Sequence, residues 1–135
     1  MKIIGMILGI AMLMLGGAPG SANGQTLTTL YSFCSSKNID DVCLDGAYPA
    51  NLIHGSDGNF YGATSAGGTK DIGTIFKLTP EGTLTTLHQF SGVAGVADGS
   101  VPVLSLESAG LFYGTTLGGG THSNGTIFTI TSAGT

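Results

Sequence analysis

Apolar and polar residues alternate along this chain in short runs, and glycines placed singly or beside an acid break the runs at close intervals. Period-two runs of this length read as half-buried strands, and nothing beyond residue 23 carries a helical period. Four strands are predicted in a first block, at 50–56, 59–65, 73–79 and 83–90. Three follow in a second block, at 103–107, 111–117 and 125–131. Asp57-Gly58, Glu81-Gly82 and Ala109-Gly110 fall between strands, where tight hairpins need residues that tolerate positive φ. Within 84–90 the alternation puts Leu84, Thr86, His88 and Phe90 on one side, and Thr85, Leu87 and Gln89 on the other. Large apolar residues on both faces predict a small sheet covered from both sides.

The two blocks say nearly the same thing about 52 residues apart, and a period of that length built from strands marks a stacked repeat architecture. Leu27-Thr28-Thr29-Leu30 returns as Leu84-Thr85-Thr86-Leu87, and Asp45-Gly46 with Pro49 as Asp98-Gly99 with Pro102. Phe60-Tyr61-Gly62 returns as Phe112-Tyr113-Gly114, and Gly73-Thr74-Ile75-Phe76 as Gly125-Thr126-Ile127-Phe128. The six phenylalanines form three repeat-equivalent pairs, Phe33 with Phe90, Phe60 with Phe112 and Phe76 with Phe128, which predicts a packing role. The predicted fold is all-β: two four-stranded antiparallel blade-like repeats, β-propeller-like, forming a partial propeller. One domain spans 23–135, with repeat 1 at about 27–83 and repeat 2 at about 84–135.

The amino end is read separately. Lys2, the apolar run 3–15 and the small residues Gly20-Ser21-Ala22 predict a signal peptide over 1–22, cleaved close to Ala22. The run is short for a membrane span, so no span is expected once it is removed. The expected location is secreted, periplasmic or cell-surface. The remaining chain holds Lys37, Lys70 and Lys77, no arginine and eight carboxylates. Three lysines cannot build the basic face that nucleic acid requires. Cys34 and Cys43 lie in one loop, and in an oxidising compartment they are expected to pair as a disulfide. A zinc site would need two more ligands, and His54, His88 and His122 stand at no ligand spacing.

Candidate chemistry is thin. Asp45 and Asp98 recur and offer a carboxylate pair of glycosidase type, but recurring acids before glycine read first as turn formers. Asp40, Asp41 and Asp45 cluster oxygens without calcium-loop spacing. The glycine stretches at 66–69 and 117–121 lack the phosphate-loop pattern and read as tight turns. No nucleophile elbow and no metalloprotease motif occurs in the sequence. No catalytic residue, cofactor or metal is therefore predicted.

These residues resemble the Gloeo_Verruco (GloVer) tandem repeat of secreted bacterial proteins. The likeness rests on 27–33, 45–49, 57–64, Gly67-Gly68 and 73–79 in the first unit, and on 84–87, 98–102, 112–116 and 125–131 in the second. The resemblance implies an exported repeat protein, often surface-displayed, with propeller-like β architecture and no catalytic residues to carry over. Three departures stand out: about two units instead of many, Ala109-Gly110-Leu111 in place of Asp-Gly-Asn, and an end at Thr135 without an anchor. The stretch 27–33 copies the fourth strand, and the sequence stops before the second unit's own. Since closed propellers take about four to eight blades, self-association is expected, simplest as a six-blade trimer, or else further repeats in a longer chain.

The leading functional expectation is a non-catalytic surface or interaction module. The alternative is a carbohydrate-binding, lectin-like module that stacks glycans on Tyr48, Tyr61 or Tyr113, weakened by the absence of tryptophan. A fragment of a secreted glycan-active enzyme is the remote third.

Overall fold

The computed structural model describes residues 25–92 and 98–135; the predicted signal segment lies outside the described residues. The strands run in chain order as β1 (Ala47–His54), β2 (Phe60–Ala66), β3 (Thr74–Leu78), β4 (Leu84–Gln89), β5 (Ser100–Ser108), β6 (Leu111–Gly118) and β7 (Ile127–Thr131). They form two antiparallel meanders, β1-β2-β3-β4 and β5-β6-β7. The fold is all-β in two blade-like sheets, as the alternation predicts, and β4, which opens the second repeat, is the last strand of the first sheet. The second sheet has three strands among the described residues, with β7 at its edge.

The hairpins follow the glycine signals. Ala109 and Gly110 both take positive φ, 53° and 81°, as a two-residue turn between Ser108 and Leu111 requires. Three predictions need correction. β1 and β5 begin at Ala47 and Ser100, ahead of the expected starts, and run through Pro49 and Pro102. Both are edge strands, where proline costs no ladder bond. Tyr48 and Val101, just before those prolines, sit at φ 55° and 53°, and this break in extended backbone hides the strand start from a period-two reading.

In β4 the register passes from Thr86 opposite Phe76 to His88 opposite Ile75, so Leu87 is the extra residue of a bulge. Leu87 then packs against the core, and the strict face alternation predicted for 84–90 fails there. The stretch 27–33 is not a strand: it runs irregularly beside the first sheet, with the Phe33 ring 5.0 Å from that of Phe76.

The core lies between the two sheets. Tyr61, Ala63 and Ile75 come from the first sheet, Leu104, Phe112 and Ile130 from the second, and Phe90 from the end of β4. Burying each large side chain of this set contributes roughly 1.5–3 kcal/mol. Of the six phenylalanines, Phe76, Phe90 and Phe112 are buried, while Phe33, Phe60 and Phe128 are half-buried. The glycine of each Phe-Tyr-Gly motif leaves room for a ring. A Cβ on Gly62 would stand 2.5 Å from Phe76 Cζ and 2.6 Å from the Asn51 carbonyl, and one on Gly114 would meet Phe128 and the Val103 carbonyl in the same way.

Candidate functional site

The recurring acids sit where one unit meets the segment preceding it. Asp45 Oδ2 accepts hydrogen bonds from Tyr31 Oη (2.7 Å), Ser35 N (3.0 Å) and Ser35 Oγ (2.8 Å), and Oδ1 accepts one from Ser36 N at 3.4 Å. Asp98 repeats the arrangement. His88 Nε2 lies 2.7 Å from Oδ2, while Ser91 N and Ser91 Oγ each donate to Oδ1 at 3.0 Å, with Gly92 N at 3.4 Å. Tyr31 and His88 hold equivalent places, and Ser35 and Ser91 play the same part although Ser35 stands one position further from its phenylalanine. These aspartates are thus junction residues that tie down the tail of the preceding strand segment. From sequence alone they read as turn formers bonded to nearby amides. The donors lie six to fourteen positions upstream, too far for a local turn rule to find.

Burial raises the pKa of Asp98, but the bonds from Ser91 N, His88, Ser91 Oγ and Gly92 N outweigh it and bring the carboxyl below its ordinary value. At Asp45 burial likewise opposes the bonds from Tyr31 and Ser35, and again the bonds prevail. Burial, reinforced by Asp45, pushes the Tyr31 phenol up.

A second recurring device lies inside each sheet. Thr64 Oγ1 and Thr74 Oγ1 are 2.8 Å apart, and Thr64 Oγ1 accepts from Thr74 N at 3.0 Å. Thr116 and Thr126 repeat this at 2.8 and 2.9 Å. Each hydroxyl pair satisfies polar groups in the sheet interior, which is why threonine recurs in Gly-Thr-Ile-Phe.

Among the described residues one polar cluster occurs in the first unit alone. Asp57 Oδ2 accepts from Asn59 Nδ2 (2.8 Å), Tyr61 Oη (2.8 Å) and Lys77 Nζ (3.2 Å). The bonds from Asn59 and Tyr61 foremost hold the Asp57 carboxyl far below the usual carboxylate range. The Lys77 ammonium is raised by Asp57 and Tyr61, and it stands 5.7 Å from the centre of the Tyr61 ring. In the second unit Ala109 and Thr129 replace the acid and the lysine, so Tyr113 has no such cluster.

The tyrosines proposed for ligand stacking part company. Tyr61 is fully buried with its ring centre 4.0 Å from that of Phe112, so it has no face for a ligand; the stacking role expected for it is corrected. Tyr48 is 77 % exposed and Tyr113 39 % exposed. Two concave regions stand out among the described residues. One, of about 180 Å³, is lined by Ile75, His88, Phe90, Asp98, Phe128 and Ile130. The other is a groove of about 360 Å³ between the 27–33 stretch and the first sheet, lined chiefly by Leu30, Phe33, Ala50, Leu52, Phe76 and Leu78.

Cys34 and Cys43 form a disulfide, with Cα atoms 4.6 Å apart. The bridged loop carries Ser35 and Ser36, two of the donors to Asp45. Asp41 pairs with Lys37 at 2.8 Å, and Asp45 is engaged as above, so the loop's acids do not converge. Among the described residues no group of three or more His, Cys, Asp or Glu side chains could hold a metal ion. Nor is any helix among them long and apolar enough to cross a membrane.

An all-β stack with a repeated aspartate junction and a repeated threonine pair defines a tandem-repeat protein. The sequence model of the Gloeobacter/Verrucomicrobia repeat matches residues 20–135, and the chain belongs to that family. No curated protein and no solved structure matches it.

Proposed function

We propose that this chain is an exported, non-catalytic repeat module that serves as a surface or interaction element. The observation that carries this reading is how Asp45 and Asp98, the acids that recur, are used. Each takes four kinds of donor from the segment before it, and each is held in the ionised form. A carboxylate with a lowered pKa holds no proton to give at neutral pH, and one already surrounded by donors is a poor base. The Cys34–Cys43 disulfide supports export, since such bonds persist in oxidising compartments.

The test is to assay the secreted protein against a polysaccharide panel, beside Asp45→Asn and Asp98→Asn. This reading expects no turnover and lowered melting temperatures in both variants. Turnover by the parent that either substitution abolishes would overturn it.

A glycan-binding role is the second reading, favoured by the exposed ring of Tyr48. A glycan array with the parent and Tyr48→Ala separates the two: signal lost in the variant supports the lectin-like role.

A further inference from the structure

The interface between the two sheets has two dissimilar halves, and the chain carries a spare copy of each on its outside. The first sheet contributes the forward half, with Tyr61, Ala63 and Ile75; the second contributes the receiving half, with Leu104, Phe112 and Ile130. At two positions repeat-equivalent residues show the opposite exposure, although Ile130 and its equivalent Leu78 are equally buried. Ile75 is 0 % exposed, whereas Ile127, in an identical Gly-Thr-Ile-Phe motif, is 84 % exposed. Leu104 is 0 % exposed and its equivalent Leu52 is 53 % exposed. The second sheet therefore presents an open forward half, and the first an open receiving half.

The receiving side of the first sheet is already partly furnished. Phe33 meets Phe76 at 5.0 Å and 64°, as Phe90 meets Phe128 at 5.7 Å and 67°. Tyr31 and Ser35 engage Asp45 as His88 and Ser91 engage Asp98. Thus 27–36 stands against the first sheet as the end of β4 and the residues after it stand against the second. In β4 the residues leading to that end pair with β3, Leu84 opposite Leu78 and Thr86 opposite Phe76. Among the described residues their equivalents Leu27 and Thr29 pair with no strand, and Leu27 is 97 % exposed.

At the other end, residues 131–135 repeat the turn that leads from β3 into β4. Thr131 N donates to Thr135 O at 2.8 Å and Gly134 N to Thr131 O at 3.0 Å, matching Thr79 N to Thr83 O at 3.0 Å and Gly82 N to Thr79 O at 2.9 Å. The far edge of β7 is the place beside which Leu27 and Thr29 would register.

The geometry points to a second copy of this chain as the occupant of both open halves, stacked head to tail. The forward face of one copy, with Tyr113 and Ile127, packs on the receiving face of the next, with Leu52 and Phe60. The 27–33 stretch of that next copy adds to the β7 edge as the fourth strand, Leu27 opposite Ile130 and Thr29 opposite Phe128. The contact continues the interface already built within one chain, so its chemistry is fully specified: rings and branched aliphatics at the centre and main-chain bonds at the edge. A heterologous contact closes into a ring if the rotation permits, and about four to eight blades complete such rings. This inference is independent of whether the module also has a ligand.

Light scattering on the secreted chain across a wide concentration range tests it. The expected result is a mass that is a multiple of one chain. Ile127→Asp and Leu52→Asp each place a charge in one open half and leave the internal interface untouched; each should run at the mass of one chain with a cooperative melt. Mixed together, they should form a two-chain species, since each keeps the half that the other has lost. A parent that stays at one-chain mass throughout overturns the inference. So does association that survives either substitution, or a mixture that fails to pair.

Discussion

The Tyr61 ring lies against Phe112, centre to centre at 4.0 Å and 32° between planes, across the two sheets. The two residues come from copies of one dipeptide, Phe60-Tyr61 and Phe112-Tyr113. Neighbours in a strand point to opposite faces, so each unit sends its tyrosine forward and its phenylalanine back. The motif is a connector, used once within this chain and left half open at each outer face.

Repeat-equivalent substitutions should therefore have unequal costs. Tyr61→Ala and Phe112→Ala should each cost about 3–5 kcal/mol of unfolding free energy, as truncated core aromatics do. Tyr113→Ala, at the exposed counterpart of Tyr61, should stay within about 0.5 kcal/mol in a single chain. Urea unfolding at low protein concentration measures all three, and equal losses at Tyr61 and Tyr113 would refute the asymmetry.

Glycine replacements separate space from backbone conformation. Gly62→Ala would force a methyl against the Phe76 ring and the Asn51 carbonyl, and should cost more than the roughly 1–3 kcal/mol of ordinary overpacking. Gly58 has open space around it but a φ of +82°, so Gly58→Ala should cost only about 1 kcal/mol. Thermal melts of the two variants decide the order.

Acid should loosen the protein in a defined window. Asp45, Asp57 and Asp98 all have folded pKa values below the ordinary one. Their stabilisation is fully present above the unfolded carboxylate pKa of about 3.9 and is lost as pH falls through the folded values beneath it. The melting temperature should hold from neutral pH to about pH 5 and fall at lower pH. Asp57→Asn should flatten that acid limb; a variant as acid-sensitive as the parent would remove Asp57 from the account.

Reducing the Cys34–Cys43 bridge should cost roughly 2–3 kcal/mol by the loop-entropy estimate. It should also free Ser35 and Ser36 from Asp45, so that the Asp45 carboxyl titrates closer to its ordinary value, as carboxylate NMR would detect. An unmoved Asp45 titration would mean that the loop holds its donors without the bridge.

Much of this was legible in the sequence. The hairpins at Asp57-Gly58, Glu81-Gly82 and Ala109-Gly110, the pairing of the phenylalanines and the two-sheet plan follow from local periodicity and repetition. What was not legible depends on contacts between distant segments. Nothing near Asp45 or Asp98 names its donors, because Tyr31 and His88 differ in type and only their place in the repeat is shared. Tyr61 read as a ligand platform because its burial comes from the second sheet. Leu87 read as an ordinary strand residue because a bulge depends on the partner strand. The irregular course of 27–33 was masked by its likeness to β4, which is a strand only because β3 lies beside it.

The recurring aspartates join each unit to the segment before it. Equilibrium urea unfolding of Asp98→Ala against the parent decides whether they do. Losing the acceptor for His88, Ser91 and Gly92 should lower stability by about 2–3 kcal/mol, with a lower midpoint and an unchanged slope. A midpoint equal to the parent's would contradict the claim and return Asp98 to the list of residues free for chemistry.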